Sequence, residues 1–237
     1  MADGIYVGMA AAAARAEQLE SIADNLANGE TPGFKASHPA FQSFLPKGAG
    51  PAADKVATAV VGTGADMAAG AVVTTGNPLD VIPHEDAFMM VQTSTGPAYT
   101  RNGRLTVSPD GLLISGGRLV IGLSGNPIQI PVGATALIHE RAGSVMVGDV
   151  EVDRVALFQL QGNVAHVGPS LYGPGPGGAV TPFDGGVSVG QLEMGNSTPL
   201  SATVQMIGAQ RQFETAMQAI QTYRRLDDRA IEVGKSR

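Results

Sequence analysis

Residues 3–28 read DGIYVGMAAAAARAEQLESIADNLAN, a stretch rich in alanine and free of proline. Its apolar series Ile5, Met9, Ala12, Ala16, Leu19, Ala23 and Leu26 advances by alternating steps of four and three. That spacing sets the whole series on one seam of a helix, the pattern of a coiled-coil partner, and Ile22 widens the stripe. At 1.5 Å per residue such a helix would be ~39 Å long. Asn28-Gly29 then offers a left-handed stop, and Pro32 prevents the helix from resuming. The seam suits two partners equally, the chain's own middle region or the helices of other copies, because Ala12, Ala16 and Ala23 let either backbone come close.

The far end of the chain turns helical again. Thr198 is a good N-cap and Pro199 suits the first helical position. Leu200, Val204 and Ile207, then Phe213, Met217, Ile220 and Tyr223, keep to one broad face, and the helix is expected to reach about Val233. Gly208 is its weak interior position, costing ~1 kcal/mol relative to alanine. Residues 1–35 carry a charge balance of −3 and residues 200–237 one of +2, so the two helices are expected to pair. Two helices alone cover only part of a broad apolar stripe, and termini fray unless tied down. Packing against other subunits is one physical solution, and a heterologous contact that does not close gives a filament.

Between the helices glycine and proline recur every few residues and the apolar runs are short and β-branched. Val72-Val73, Phe88 to Val91, Leu119 to Leu123, Ile128 to Ile130, Val145 to Val152 and Val155 to Leu160 read as strands. Asn102-Gly103, Pro109-Asp110-Gly111 and Ser115-Gly116-Gly117 read as the turns between them. Gly173 to Gly178 reads as a loop, and residues 47–70 give no firm signal. The expected fold is α+β: terminal helices pairing as a coiled-coil-like element (1–35 with its exit loop, and 200–237) around a central antiparallel β-rich domain (36–199).

Composition narrows the function. Glycine fills 32 of 237 positions, about twice its ordinary share, and charged residues are only 15%. Such a weakly charged surface suits subunits covered by neighbours. The net charge of −6 and the lack of a basic stripe argue against nucleic acid. With no cysteine there are no disulfides or thiolate metal sites. No apolar stretch is long enough to span a membrane as a helix, and the opening residues lack the basic region of a cleaved secretory signal. His38, His84, His139 and His166 fall in no metal-ligand spacing. Neither a nucleophile elbow nor a Walker loop occurs, so catalytic, cofactor and metal residues are all expected to be none.

Asn25-Leu26-Ala27-Asn28-Gly29-Glu30-Thr31-Pro32-Gly33-Phe34-Lys35 resembles the N-terminal signature of flagellar rod and hook proteins. Its fixed positions are Asn25, Leu26, Ala27, Asn28, Thr31, Pro32, Gly33, Phe34 and Lys35. Met206-Ile207 with Gln210 to Glu214 is similar to that family's C-terminal helix. Leu79-Asp80-Val81, Tyr99 to Gly103, Pro109 to Leu113 and Pro127 to Pro131 resemble its central module. The short length is most similar to the proximal rod members, with distal rod members second and the longer hook proteins further off. One departure stands out. Where the family commonly has Gly-x-Gly-Phe, this chain has Glu85-Asp86-Ala87-Phe88, which puts the usual turn there in question.

The resemblance implies a structural subunit that polymerises through its terminal helices with itself and other rod proteins. It implies passage through the flagellar type III export apparatus without a cleaved signal, and residence in the basal body where the rod crosses the periplasm. The assembly interface it suggests comprises Ile5, Met9, Leu19, Ile22, Leu26, Phe34, Met206, Phe213, Met217, Ile220 and Tyr223. Local chemistry alone allows Phe34 to be an ordinary core residue at a helix exit, whereas the resemblance favours a plug into a neighbour. From a different class, a secreted β-rich hydrolase or carbohydrate-binding module with helical ends is the alternative.

Overall fold

Helix α1 covers Ala2–Asn28 and helix α2 covers Pro199–Lys235, ending and starting where the Asn28-Gly29 stop and Pro199 predict. The computed structural model describes residues 2–44, 57–131, 133–140 and 142–235. Among the described residues eighteen strands lie between the helices, so the fold is α+β with an antiparallel β-rich middle. The chain divides into two compact units: residues 1–26, 37–63 and 199–237 form the first, and residues 27–36 and 64–198 the second. The exit loop thus belongs with the β-rich unit rather than with the helix it follows.

In the first unit β1 (Ser37–Phe44) pairs with β2 (Ala57–Ala65), and α1 runs antiparallel to α2. Ile22 clusters with Ala202, Met206 and Ala209 near the start of α2, while Gly8 meets Ile220 much further along it. Part of the stretch that gave no signal, 57–65, is therefore strand; residues 47–56 lie outside the described residues.

In the second unit the strands run in sequence as β3 (Val72–Thr74), β4 (Val81–Pro83), β5 (Ala87–Thr93), β6 (Gly96–Thr100), β7 (Leu105–Val107), β8 (Leu113–Ser115) and β9 (Arg118–Val120). Then come β10 (Ala136–His139), β11 (Ser144–Val147), β12 (Val150–Arg154), β13 (Leu157–Gln161) and β14 (Val164–Gly168). The last are β15 (Leu171–Pro174), β16 (Ala179–Pro182), β17 (Val187–Val189) and β18 (Gln191–Glu193). The large sheet has the order β14-β15-β6-β5-β9-β8-β7, with β13 joining β5 to β16. Strand β5 is its hub, because its first half pairs with β13 and its second with β9. Alternation along β5 sends Met89 and Val91 into the main core with Leu105, Leu113, Val120 and Leu157, and Phe88 into a second cluster with Val164 and Tyr172.

Several strand expectations shift. Val145 to Val152 is a hairpin, not one strand, because Gly148 turns the chain at φ +60°. Ile128 to Ile130 forms only an isolated bridge at Gln129, yet both isoleucines are fully buried. Strand β15 takes in Gly173 and Pro174, which were expected to be loop. Pro174 is tolerated there because it is the last residue of the strand, and pairing with β6 occurs only at Tyr172. The turn that lacks the family's glycines forms all the same: Ala87 N–H donates to His84 C=O at 3.2 Å, and Glu85 takes φ +51°.

Candidate functional site

The signature residues occupy two settings. In the first unit Asn25 grips Ser37 twice: its Nδ2 donates to the Ser37 carbonyl at 2.9 Å, and its Oδ1 accepts the Ser37 N–H at 2.8 Å. Ser21 Oγ donates to the same carbonyl at 2.8 Å. These bonds hold the chain before the loop against the chain after it.

The loop itself lies in the β-rich unit. The Thr31 N–H donates to Asn28 C=O at 2.9 Å, and Phe34 N–H to Thr31 C=O at 3.2 Å, giving two successive turns. Gly33 sits at φ +68°, and a Cβ there would collide with the Arg101 carbonyl, so only glycine fits. Its N–H donates to Glu193 C=O at 2.7 Å. Phe34 is buried, its ring 5.9 Å from that of His166. The expectation that it projects into a neighbour is corrected here: the side chain is already enclosed by its own unit.

Lys35 closes the loop. Its ammonium donates to Glu193 Oε1 at 2.7 Å and to Ala68 C=O at 2.8 Å. Arg101 binds Glu193 Oε2 through Nε at 2.9 Å and Nη2 at 2.7 Å. Its Nη1 donates to the carbonyls of Ala87 at 2.7 Å and Glu85 at 2.9 Å. All three ionised side chains are at most 6% exposed, so their charges answer each other rather than water. Burial works against the Glu193 carboxylate, but the Arg101 charge, the Lys35 ammonium and the Gly70 N–H outweigh it and hold its pKa below the ordinary value. The Tyr172 hydroxyl accepts the Lys35 N–H at 2.6 Å and donates to Gly33 C=O at 3.2 Å, and burial pushes its pKa far up. Sequence reasoning singled out Lys35 and Arg101 inside motifs but missed Glu193. The available signal was an acid set between Leu192 and Met194 in a chain poor in charge.

The paired helices show a different division. Facing α2, helix α1 presents Gly8, Ala12, Leu19, Ile22 and Leu26 rather than the full expected seam, for Met9 is 52% exposed and Ala23 is exposed. The rotation follows from Ser21 and Asn25, which must reach Ser37, and from Ala14, buried off the α2 side. On α2 the inward residues are Ala202, Met206, Ala209, Phe213, Ala216 and Ile220, a series with alternating steps of four and three. Leu200, Val204 and Ile207, expected on that face, lie open on the opposite side. Alanines on the seam let the helices approach so closely that a Cβ on Gly8 would come within 2.7 Å of Ile220 Cγ1. Among the suggested interface residues, Ile22 and Ile220 are therefore buried between two helices of one chain, and Ile5, Leu19, Leu26, Met206 and Phe213 are half-buried. Met9, Met217 and Tyr223 are open; the first two border an apolar groove of about 350 Å³ with Ala12 and Ile220. No helix among the described residues is long and apolar enough to cross a membrane.

Family comparisons agree with this arrangement of ends and middle. The family model "Flagella basal body rod protein" matches residues 5–35, and "Flagellar basal body rod FlgEFG protein C-terminal" matches residues 188–233. Flagellar basal-body rod protein FlgF of Salmonella typhimurium is 34% identical, with 98% of each chain covered. The chain belongs to the FlgF family of flagellar basal-body rod proteins. FlgF of Rhizobium meliloti is 32% identical over the whole of both chains. Flagellar basal-body rod protein FlgG of Bacillus subtilis is 27% identical over 94% of this chain, so the FlgF family is favoured over FlgG. The match at 188–233 takes in Glu193 and the whole inward seam of α2, and that at 5–35 ends on Lys35.

Proposed function

We propose that this FlgF-family chain is a structural subunit that enters the rod through the open faces of α1 and α2. The observation that carries the reading is the row Leu200, Val204 and Ile207, 78%, 62% and 48% exposed on the side of α2 away from α1. A helix apolar on two opposite faces needs a second partner. Neighbouring rod subunits, including copies of this chain, supply that partner in the proximal rod, where it crosses the periplasm. The chain reaches that place through the flagellar type III export apparatus. Its work is mechanical rather than catalytic. The buried ionisable groups Lys35, Arg101 and Glu193 are turned upon each other, which leaves them holding a loop rather than meeting a substrate.

The test is Leu200→Asp together with Val204→Asp, expressed in a strain lacking the native chain. Export of the variant with loss of rods and motility is the expected result, because both charges would have to be desolvated in a dry contact. Normal rods would overturn the reading.

A further inference from the structure

The geometry points to a carboxylate-binding site where the signature loop meets the hairpins of the large sheet. This goes beyond the assembly reading and does not depend on it. A hollow of about 160 Å³ lies within the β-rich unit, bordered by Thr31 of the exit loop and by Asn102, Ser115, Arg118 and Ser170. Two tight turns place its side chains. Gly116 and Gly117, at φ +55° and +78°, turn β8 into β9 and set Arg118 opposite Ser115. Pro169-Ser170 turns β14 into β15, and Ser170 is held at φ +51°, a conformation that favours glycine. Its carbonyl accepts the Thr100 hydroxyl at 2.7 Å, which fixes the turn.

Three side chains at this hollow keep unused donors. The Arg118 guanidinium bonds the Gly116 carbonyl at 3.3 Å and has no carboxylate partner among the described residues. Asn102 Oδ1 accepts the Arg104 N–H at 3.1 Å, while Nδ2, beside Gly116, donates to no described residue. The Ser170 hydroxyl, on a residue 4% exposed, likewise has no partner among them. A buried donor left unpaired is costly, and a serine where glycine would sit easily adds strain. No acid among the described residues borders the hollow, so guanidinium, amide and hydroxyl line one small space with no carboxylate set against them. The chain's net charge of −6 repels anions in general, so attraction here comes from these donors. One guanidinium balances one negative charge, and its planar fork matches the two oxygens of a carboxylate. A doubly charged oxyanion would leave one charge unanswered. Arg118 and Leu171 also border a second hollow of about 360 Å³, with Thr93, Ser94, Thr95 and Pro97, which gives room for the body that carries the carboxylate.

The test follows the amide signals of Gly116, Arg118 and Ser170 by NMR in labelled full-length protein, titrated with sodium acetate or with sodium chloride at equal ionic strength. Saturable shifts centred on those residues are expected with acetate and not with chloride. Arg118→Gln should weaken acetate binding about tenfold or more. Asn102→Asp keeps an oxygen for the Arg104 N–H but sets a negative charge in the hollow, and should abolish binding. Ser170→Gly suits φ +51°, so it should weaken binding several-fold without lowering the denaturation midpoint. A serine with a merely structural role would leave binding unchanged in that variant. Shifts that do not saturate, that spread equally to Arg104 and Arg154, or that survive Arg118→Gln overturn the inference, as does tighter binding of sulfate than of acetate. N-acetyl-alanyl-alanine and N-acetyl-aspartyl amide then separate the sources. Tighter binding of either than of acetate assigns the carboxylate to a peptide, equal binding assigns a free one, and both uphold the site.

Discussion

Around Lys35 the ionised groups are matched one against another and closed off from water. Along α2, Leu200, Val204 and Ile207 lie open to it. The β-rich unit has two apolar clusters, and its signature loop is fixed by an ion cluster, by Tyr172 and by a glycine against the Arg101 carbonyl. Among the described residues the helix pair has one small cluster, built on Ile22, Ala202 and Ala209. The difference teaches that one unit completes its own interior while the other leaves surface for company.

The largest expected effect breaks the self-sufficient side. Glu193→Ala strands two buried cations and should cost about 3–5 kcal/mol, read as a fall in denaturation midpoint. Glu193→Gln sharpens the point through pH. A carboxyl whose folded pKa is depressed adds stability that is complete above its unfolded value of about 4.3. That stability is lost as pH falls through the lower folded value. Acid unfolding of the native chain should therefore steepen below about pH 4, and the Gln variant should be flatter there. Equal slopes would mean that the cluster contributes no net stability.

Ile22→Ala comes next, at about 2 kcal/mol or more for a buried isoleucine. Amide exchange should quicken along α1 and α2 and stay unchanged in β5, β6 and β9. Uniform quickening would show that the two units unfold together. Glu85→Gly should stabilise by about 1 kcal/mol, since φ +51° is costly for a residue with a Cβ. The Arg101 bond to the Glu85 carbonyl is the reason the turn persists without glycine. The smallest effect is the most telling contrast: Leu200→Ser with Val204→Ser should alter unfolding of the single chain by no more than about 0.5 kcal/mol. Incorporation into rods should nonetheless drop sharply.

Helix limits were legible because their signals are local: Asn28-Gly29 ends α1 and Pro199 begins α2. Helix phase was less so. The run Ala10 to Ala14 has no contrast between faces, so the side that turns inward was settled by Ser21 and Asn25 reaching Ser37, a contact across residues far apart in the chain. On α2, the larger Leu200, Val204 and Ile207 outweighed Ala202 and Ala209 in any hydrophobic count, yet the alanines are what allow close approach to Gly8. The hairpin at Gly148 was hidden inside an apolar run, though its glycine was the clue. The ion cluster was half visible, since Lys35 and Arg101 sat in motifs. Their partner Glu193 lies 158 residues from Lys35, a distance that no local pattern spans.

Tyr172 and Gly195 carry a mechanical consequence. The hydroxyl holds the backbone on either side of Phe34, and Gly195 lies so near the carbonyls of Asn28 and Gly29 that a side chain would not fit. The strand leaving toward α2 and the loop arriving from α1 are thus moored at a common knot. A pull on either helix enters the β-rich unit within a few residues of that knot, so a load on one terminus is shared with the other before it reaches the sheet.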